Sequence, residues 1–295
     1  MFAFPPTGSY RVNASRMTGW RERRIAAAGV GVVTFEAGST AADAPALVLV
    51  HGLGHWTQAA WDVLVPLLDP ALRIIAFDLP GFGASDKPDT RYDTKFFAAV
   101  TASVIDQTAP PTFVLCGHSL GGYIAANYAA SHPERVERLI LIAPAGFLRA
   151  ARFLYALLGS QLARWLFTRR PGRRFVENTL DRSVFDPASI VPSIRAQAFA
   201  YACQFEVRRA FAGVYTGAIQ DFRDAARVHA RLATYAGPVL IIWGRHDQYI
   251  PIKALDVTRA VYPRADVLIV ERSGHLPMVE EAPLVAAALA RFIAG

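Results

Sequence analysis

The chain is predicted to be an α/β protein built on a mainly parallel sheet, with a helical insertion. Three observations predict this: short apolar runs recur along the chain, helical patterns separate them, and one stretch, roughly 147–235, interrupts the alternation. The runs are ALVLV (46–50), IIAFDL (74–79), FVLCG (113–117), LILIAP (139–144), VLIIWG (239–244) and DVLIVE (266–271). They are continuous rather than alternating, as strands buried on both faces require.

The elements follow in order. RRIAAAGVGVVTFEAG (23–38) predicts an antiparallel hairpin at one edge of the sheet. DTKFFAAVTASVIDQ (93–107) and GGYIAANYAASH (121–132) predict helices between strands, and APLVAAALARFIA (282–294) predicts the last helix. This βα alternation is the signature of a layered α/β domain. The stretch 147–235 is rich in Arg, Phe, Tyr, Leu and Ala and has no strong β run. It predicts an insertion of about four helices, punctuated by Pro171-Gly172 and Pro187. The division expected is a core of 1–146 and 236–295 and a helical domain of 147–235.

Composition narrows the function classes. With 295 residues, 53% hydrophobic and 19% charged, the chain can bury a sizeable core. No apolar stretch reaches the roughly 18 residues a bilayer span needs. The N-terminus lacks the basic-then-apolar order of a signal peptide, so the expected location is cytoplasmic. Asn13-Ala14-Ser15 matches a glycosylation acceptor, which carries little weight without a secretion signal. Cys116 and Cys203 lie far apart and are not expected to pair. No cysteine or histidine cluster has metal-ligand spacing, so no metal is expected. The net charge of +7 is local, since seven arginines fall between Arg149 and Arg174. Without a nucleic-acid-binding signature that patch does not predict nucleic-acid binding. Residues 151–170 form an apolar stretch with arginines at its ends and Arg164 inside. They read first as a helix burying one face over a pocket, and second as a surface for lipid aggregates or anionic membranes.

Gly117-His118-Ser119-Leu120-Gly121 carries the chemistry. G-x-S-x-G here follows a strand and opens a helix, the context that gives the motif meaning. The sharp turn strains the serine backbone, and glycines remove Cβ atoms that would collide. The bare alternative is a serine N-cap. A serine hydroxyl needs a base. His275, in the loop after the last predicted strand, is the candidate, and Asp247, after VLIIWG, is the candidate acid that holds its tautomer. Asp224 and Glu271 are weaker candidates for that acid.

The order Ser119, Asp247, His275 resembles the α/β-hydrolase superfamily, over about residues 23–294. His51-Gly52-Leu53-Gly54 looks like its oxyanion loop, and DLPGFGASDKP (78–88) resembles a loop of capped members. The insertion falls where these enzymes carry a helical cap. The resemblance implies an α/β-hydrolase fold, a triad of Ser119, Asp247 and His275, and an oxyanion hole from the backbone N–H groups of Leu53 and Leu120. Gly52, Trp56, His118 and Cys203 are candidate substrate contacts. The ring of His118 is expected to point away from the reacting centre, His51 to order its loop, and Asp78 to fix the loop at 78–86.

The function expected is hydrolysis of carboxylic esters with mostly apolar acyl or alcohol groups, in the manner of bacterial carboxylesterases and lipases, with no cofactor and a small-molecule substrate. Dehalogenases and epoxide hydrolases of the superfamily place an aspartate where Ser119 stands, which disfavours both. Carbon–carbon bond hydrolases of ring-cleavage products are the alternative. They often have Asn where this chain has His118 and an aromatic where it has Leu276. A non-catalytic small-molecule receptor on the same fold is the alternative from another class.

Overall fold

The computed structural model describes residues 19–148 and 152–295. Asn13 and Arg149 lie outside the described residues. The continuous apolar runs form an eight-stranded sheet in the order β1-β2-β4-β3-β5-β6-β7-β8. The strands are β1 (Arg21–Ala27), β2 (Val30–Gly38), β3 (Ala46–Val50), β4 (Arg73–Phe77), β5 (Phe113–His118), β6 (Val136–Ile142), β7 (Val239–Gly244) and β8 (Asp266–Val270). β1 and β2 form the expected antiparallel hairpin, and β2 runs antiparallel to β4. Every other pairing is parallel. The edge strand β1 exposes Arg21, Glu22, Arg23 and Arg24, charges of the kind that discourage edge-to-edge pairing.

Burial on both faces explains the unbroken apolar runs. In β3, Val48 and Val50 face one core layer while Leu47 and Leu49 face the other. The first layer packs under α2 (Thr94–Thr108), α3 (Leu120–Ser131) and α10 (Ala254–Val261); the second packs under α1 (Thr57–Trp61) and α12 (Ala282–Ala294). Asp93 caps α2 by accepting the N–H of Phe96 at 2.9 Å.

Between β6 and β7 the chain is helical: α4 (Arg152–Leu158), α5 (Gln161–Thr168), α6 (Arg173–Asp181), α7 (Pro192–Ala202), α8 (Phe205–Thr216) and α9 (Ala225–Leu232). These are six described helices where four were expected. Pro171-Gly172 divides the stretch as expected, and Gly159-Ser160 adds a break where composition alone reads a continuous stretch. The insertion is packed on the core: Val176, Leu180 and Val184 join one apolar layer, and Ala210, Val214 and Phe222 join the other.

The chain leaves β3 toward β4 on one side and returns to β5 on the other, so the strand order reverses beside β3. Loops at the carboxyl ends of strands beside such a reversal form a crevice. The loops after β3, β5, β7 and β8 all open there.

Candidate active site

Ser119 joins β5 to α3 at φ 52° and ψ −117°, a conformation that L-residues rarely adopt. Such a backbone costs about 1–3 kcal/mol and persists only where surroundings impose it. Two close approaches impose it here. A Cβ on Gly117 would lie 2.3 Å from the Gly121 carbonyl oxygen, and one on Gly121 would lie 2.2 Å from that of Val50. The serine stands at the N-cap position of α3, yet its side chain makes no capping hydrogen bond. That separates it from the simple cap the sequence also allowed.

His275 follows β8, and Asp247 follows β7. The Nδ1 of His275 lies 2.6 Å from Oδ2 of Asp247, and both side chains are buried. The other carboxylate oxygen, Oδ1, accepts the N–H groups of Tyr249 and Ile250 at 2.8 and 2.9 Å. Three hydrogen bonds thus orient the carboxylate, which as an acceptor directs a proton onto Nδ1 and leaves Nε2 as the basic nitrogen. Asp224 caps α9 at the Arg227 N–H, and Glu271 pairs with Arg245 on the surface. Neither faces His275.

Ser119 and His275 line one cavity of about 430 Å³. Leu53 and Leu120 line it too, and the Leu120 N–H, at the first helical position of α3, has no acceptor within its helix. A Cβ on Gly52 would come within 3.1 Å of the Ser119 Cβ, so only glycine lets that loop approach. His51 is neutral and structural. Its Nε2 accepts the Leu79 N–H at 2.9 Å and its Nδ1–H donates to the Gly52 carbonyl at 2.8 Å. Burial lowers its pKa to about 4. Asp78 accepts the N–H groups of Thr57 and Ala84, each at 2.8 Å, and burial raises its pKa to about 6.

Other expectations need correction. His118 does not point away from the reacting centre. Its ring lines the cavity, lies 4.7 Å from the His275 ring, and its Nε2–H donates to the His275 carbonyl at 2.9 Å. Burial, and then the neighbouring His275, hold its pKa well below the usual range. Trp56 is not on the cavity wall; its indole packs on Tyr201, with centroids 5.5 Å apart. Cys203 is also absent from that wall and ends α7, its Sγ 3.4 Å from Arg170 Nε. Both cysteines are free.

Sequence reasoning missed His55, Arg182 and Tyr249, which line the cavity. It also missed the groups that hold the His275 loop. The His275 N–H donates to the Ser183 carbonyl at 2.6 Å, and Glu280 accepts the Gly274 N–H at 2.7 Å and the Phe185 N–H at 2.6 Å. A histidine in H-G-L-G-H, next to the oxyanion-type loop, was the one available signal, for His55. The remaining cavity is apolar, with Leu154, Tyr155, Phe167, Phe211 and Phe222 on its walls.

Comparison with known proteins agrees with this architecture. The chain is 28% identical over 276 residues to 2-hydroxymuconate semialdehyde hydrolase of Pseudomonas sp. (strain CF600), covering 92% of this chain and 93% of that one. A crystal structure of a bacterial membrane phospholipase A superposes with a TM-score of 0.76 at 28% identity, covering 97% of this chain and 90% of that one. A serine hydrolase of Cycloclasticus zankles shares the fold, with a TM-score of 0.80 at 22% identity over 94% of this chain and 99% of that one. Residues 45–282 match the model of the alpha/beta hydrolase fold family. Over four-fifths of its length, with this sheet order and this strand-to-helix turn at Ser119, the chain belongs to the alpha/beta hydrolase fold family.

Proposed function

We propose that the chain is a serine hydrolase that cleaves carboxylic esters with apolar acyl or alcohol groups through an acyl-enzyme. The observation that carries this reading is the 2.6 Å His275–Asp247 hydrogen bond on the wall of the apolar cavity that also holds Ser119 in its strained turn. In this reading the Nε2 of His275 takes the Ser119 proton as Oγ bonds to the ester carbonyl carbon. The carbonyl oxygen becomes an oxyanion that accepts hydrogen bonds from the Leu53 and Leu120 N–H groups. The C–O bond to the alcohol breaks, and His275 returns the proton to the departing alkoxide. Water then gives a proton to the same nitrogen and attacks the acyl carbon; the bond from that carbon to Oγ breaks, and His275 returns the proton to Oγ, which frees the acid and the serine. No step requires a cofactor. Residues 147–235 act as the cap over the site, with 1–146 and 236–295 as the catalytic core. Likeness to a phospholipase A supports ester chemistry.

A panel of p-nitrophenyl esters tests the reading. Ser119→Ala should lower kcat/KM by at least about a thousandfold on every ester that the wild type cleaves. A fluorophosphonate should label Ser119 alone. Equal rates for wild type and Ser119→Ala on all esters would overturn the assignment and leave a receptor on the same fold or another chemistry.

A second reading, carbon–carbon cleavage of ring-fission products, is favoured by two observations. One is likeness to 2-hydroxymuconate semialdehyde hydrolase. The other is Arg182 on the cavity wall, a cation that suits a carboxylate-bearing substrate. Loss of the absorbance of a ring-fission product, faster than ester turnover, would select it.

A further inference from the structure

Helix α5 is the one helix of the insertion with a full two turns and no buried residue. Its Leu162, Trp165 and Leu166 are 62%, 51% and 55% exposed. Their spacing places them on one helical face. In α4, Phe153 and Leu157 are also largely exposed, and Phe175 follows at the start of α6. An apolar set of this kind on one side of a soluble chain marks an interaction surface.

Two further observations say what covers it. The first is charge. Arg164, Arg169, Arg170, Arg173 and Arg174 are all exposed among these side chains, and residues 149–176 contain no Asp or Glu. Arg169 stacks on Trp165 with its Cζ 4.1 Å from the ring centroid, so aromatic and cation present themselves together. A second copy of this face would set arginine against arginine, which disfavours self-association. The second is position. Leu154 and Phe175 are exposed and also line the Ser119 cavity. Leu166, Arg169, Arg170 and Phe175 line an adjoining cavity of about 370 Å³. Leu154, Leu166 and Phe175 therefore join the exposed apolar face to the walls of the two cavities.

We propose that the α4–α5 face docks on anionic lipid bilayers, with Leu162, Trp165 and Leu166 in the acyl–headgroup boundary and the arginines on the headgroup phosphates. No described helix is long and apolar enough to cross a membrane. The contact is peripheral, and it delivers lipid-dissolved substrate to the Ser119 cavity. Docking does not depend on the chemistry at Ser119, so the two fail separately.

Co-sedimentation of the full chain with phosphatidylcholine vesicles, with and without phosphatidylglycerol, tests the docking. Wild type and Ser119→Ala should bind the phosphatidylglycerol vesicles equally, and binding should weaken as salt rises. Arg164→Glu with Arg174→Glu should weaken it by about thirtyfold or more. Leu162→Ser with Trp165→Ser should abolish it while the circular dichroism spectrum and melting temperature stay those of the wild type, which shows that the variant is folded. Binding that is equal on both vesicle types and insensitive to salt would overturn the electrostatic half. Absence of vesicle binding, with a sedimentation-velocity dimer that Leu162→Ser with Trp165→Ser dissociates, would make the face a contact between copies instead.

Discussion

Ser119 shows how little room one residue can be given. Its backbone is held at φ 52° because Gly117 and Gly121 let β5 and α3 come closer than side chains permit. Gly121→Ala tests this directly. The new Cβ would meet the backbone oxygens of Val50, the last residue of the central strand β3, at 2.2 Å and of His51, which follows it, at 2.4 Å. We expect a loss of about 3 kcal/mol or more, seen as a lower melting temperature together with loss of ester turnover. An unchanged melting temperature would contradict the packing account. His118, one residue before the serine, has a different task. By donating to the His275 carbonyl it fixes the loop from which the imidazole projects. It is a positioning residue in the proposed mechanism. His118→Asn should lower kcat about fivefold on a short ester with little change in KM, since the bond lost is worth about 1 kcal/mol. A rise in KM alone would instead indicate direct substrate contact.

At the scale of elements, the loop after β8 is the part that must be held. It has no regular structure of its own until α11 (Pro277–Glu280) begins. Three groups fix it, two of them distant in the chain: His118 at its carbonyl and Ser183 of the insertion at the His275 N–H, with Glu280 at the Gly274 N–H only six residues on. Glu280 also accepts the N–H of Phe185, tying the insertion to the same loop. Glu280→Ala should therefore reduce kcat more than it reduces stability measured by chemical denaturation, because it frees the loop that carries the proposed base His275 and leaves the sheet intact. Equal losses in both would assign Glu280 a purely structural role. These restraints explain what was legible in the sequence. The strands, the turn at Ser119 and the loops holding Asp247 and His275 are written locally, in apolar runs and in the residues beside them. The partners of those loops lie about ninety or more residues away in the chain for Ser183 and Phe185, and no local pattern marks them. Trp56 and Cys203 were misplaced for the same reason: aromatic or apolar character predicts burial, but which cavity a side chain meets depends on the path of the insertion.

For the whole molecule, the chief electrostatic consequence of the fold is a cluster of neutral histidines, His55 and His118 on the cavity wall and His51 behind them. His51 is lowered to about 4 by burial. His55 and His118 are held well below the usual range, first by burial and then by neighbouring histidines. A histidine whose pKa falls on folding contributes stability that is present above its unfolded value of 6.5 and is lost as pH drops toward its folded value. Carboxylates buried nearby work in the other direction. Asp78 is raised from 3.8 to about 6, so the folded state gains relative stability as pH falls through that window. Glu280, raised by burial, acts in the same sense. For His51 and Asp78 the two effects are each on the order of 3 kcal/mol and nearly cancel. His55 and His118 remain in excess. Unfolding near pH 5 should therefore take up protons at these histidines, and the melting temperature should fall as the pH is lowered from 7 to 5. In His118→Asn one of the excess sites is gone, so its melting temperature should depend less steeply on pH than that of the wild type, even though its value at pH 7 is lower. Differential scanning calorimetry across that range measures both slopes. A wild-type profile that is flat or rises on acidification would mean that the histidines are hydrated and that the packing around Ser119 is looser than these hydrogen bonds require.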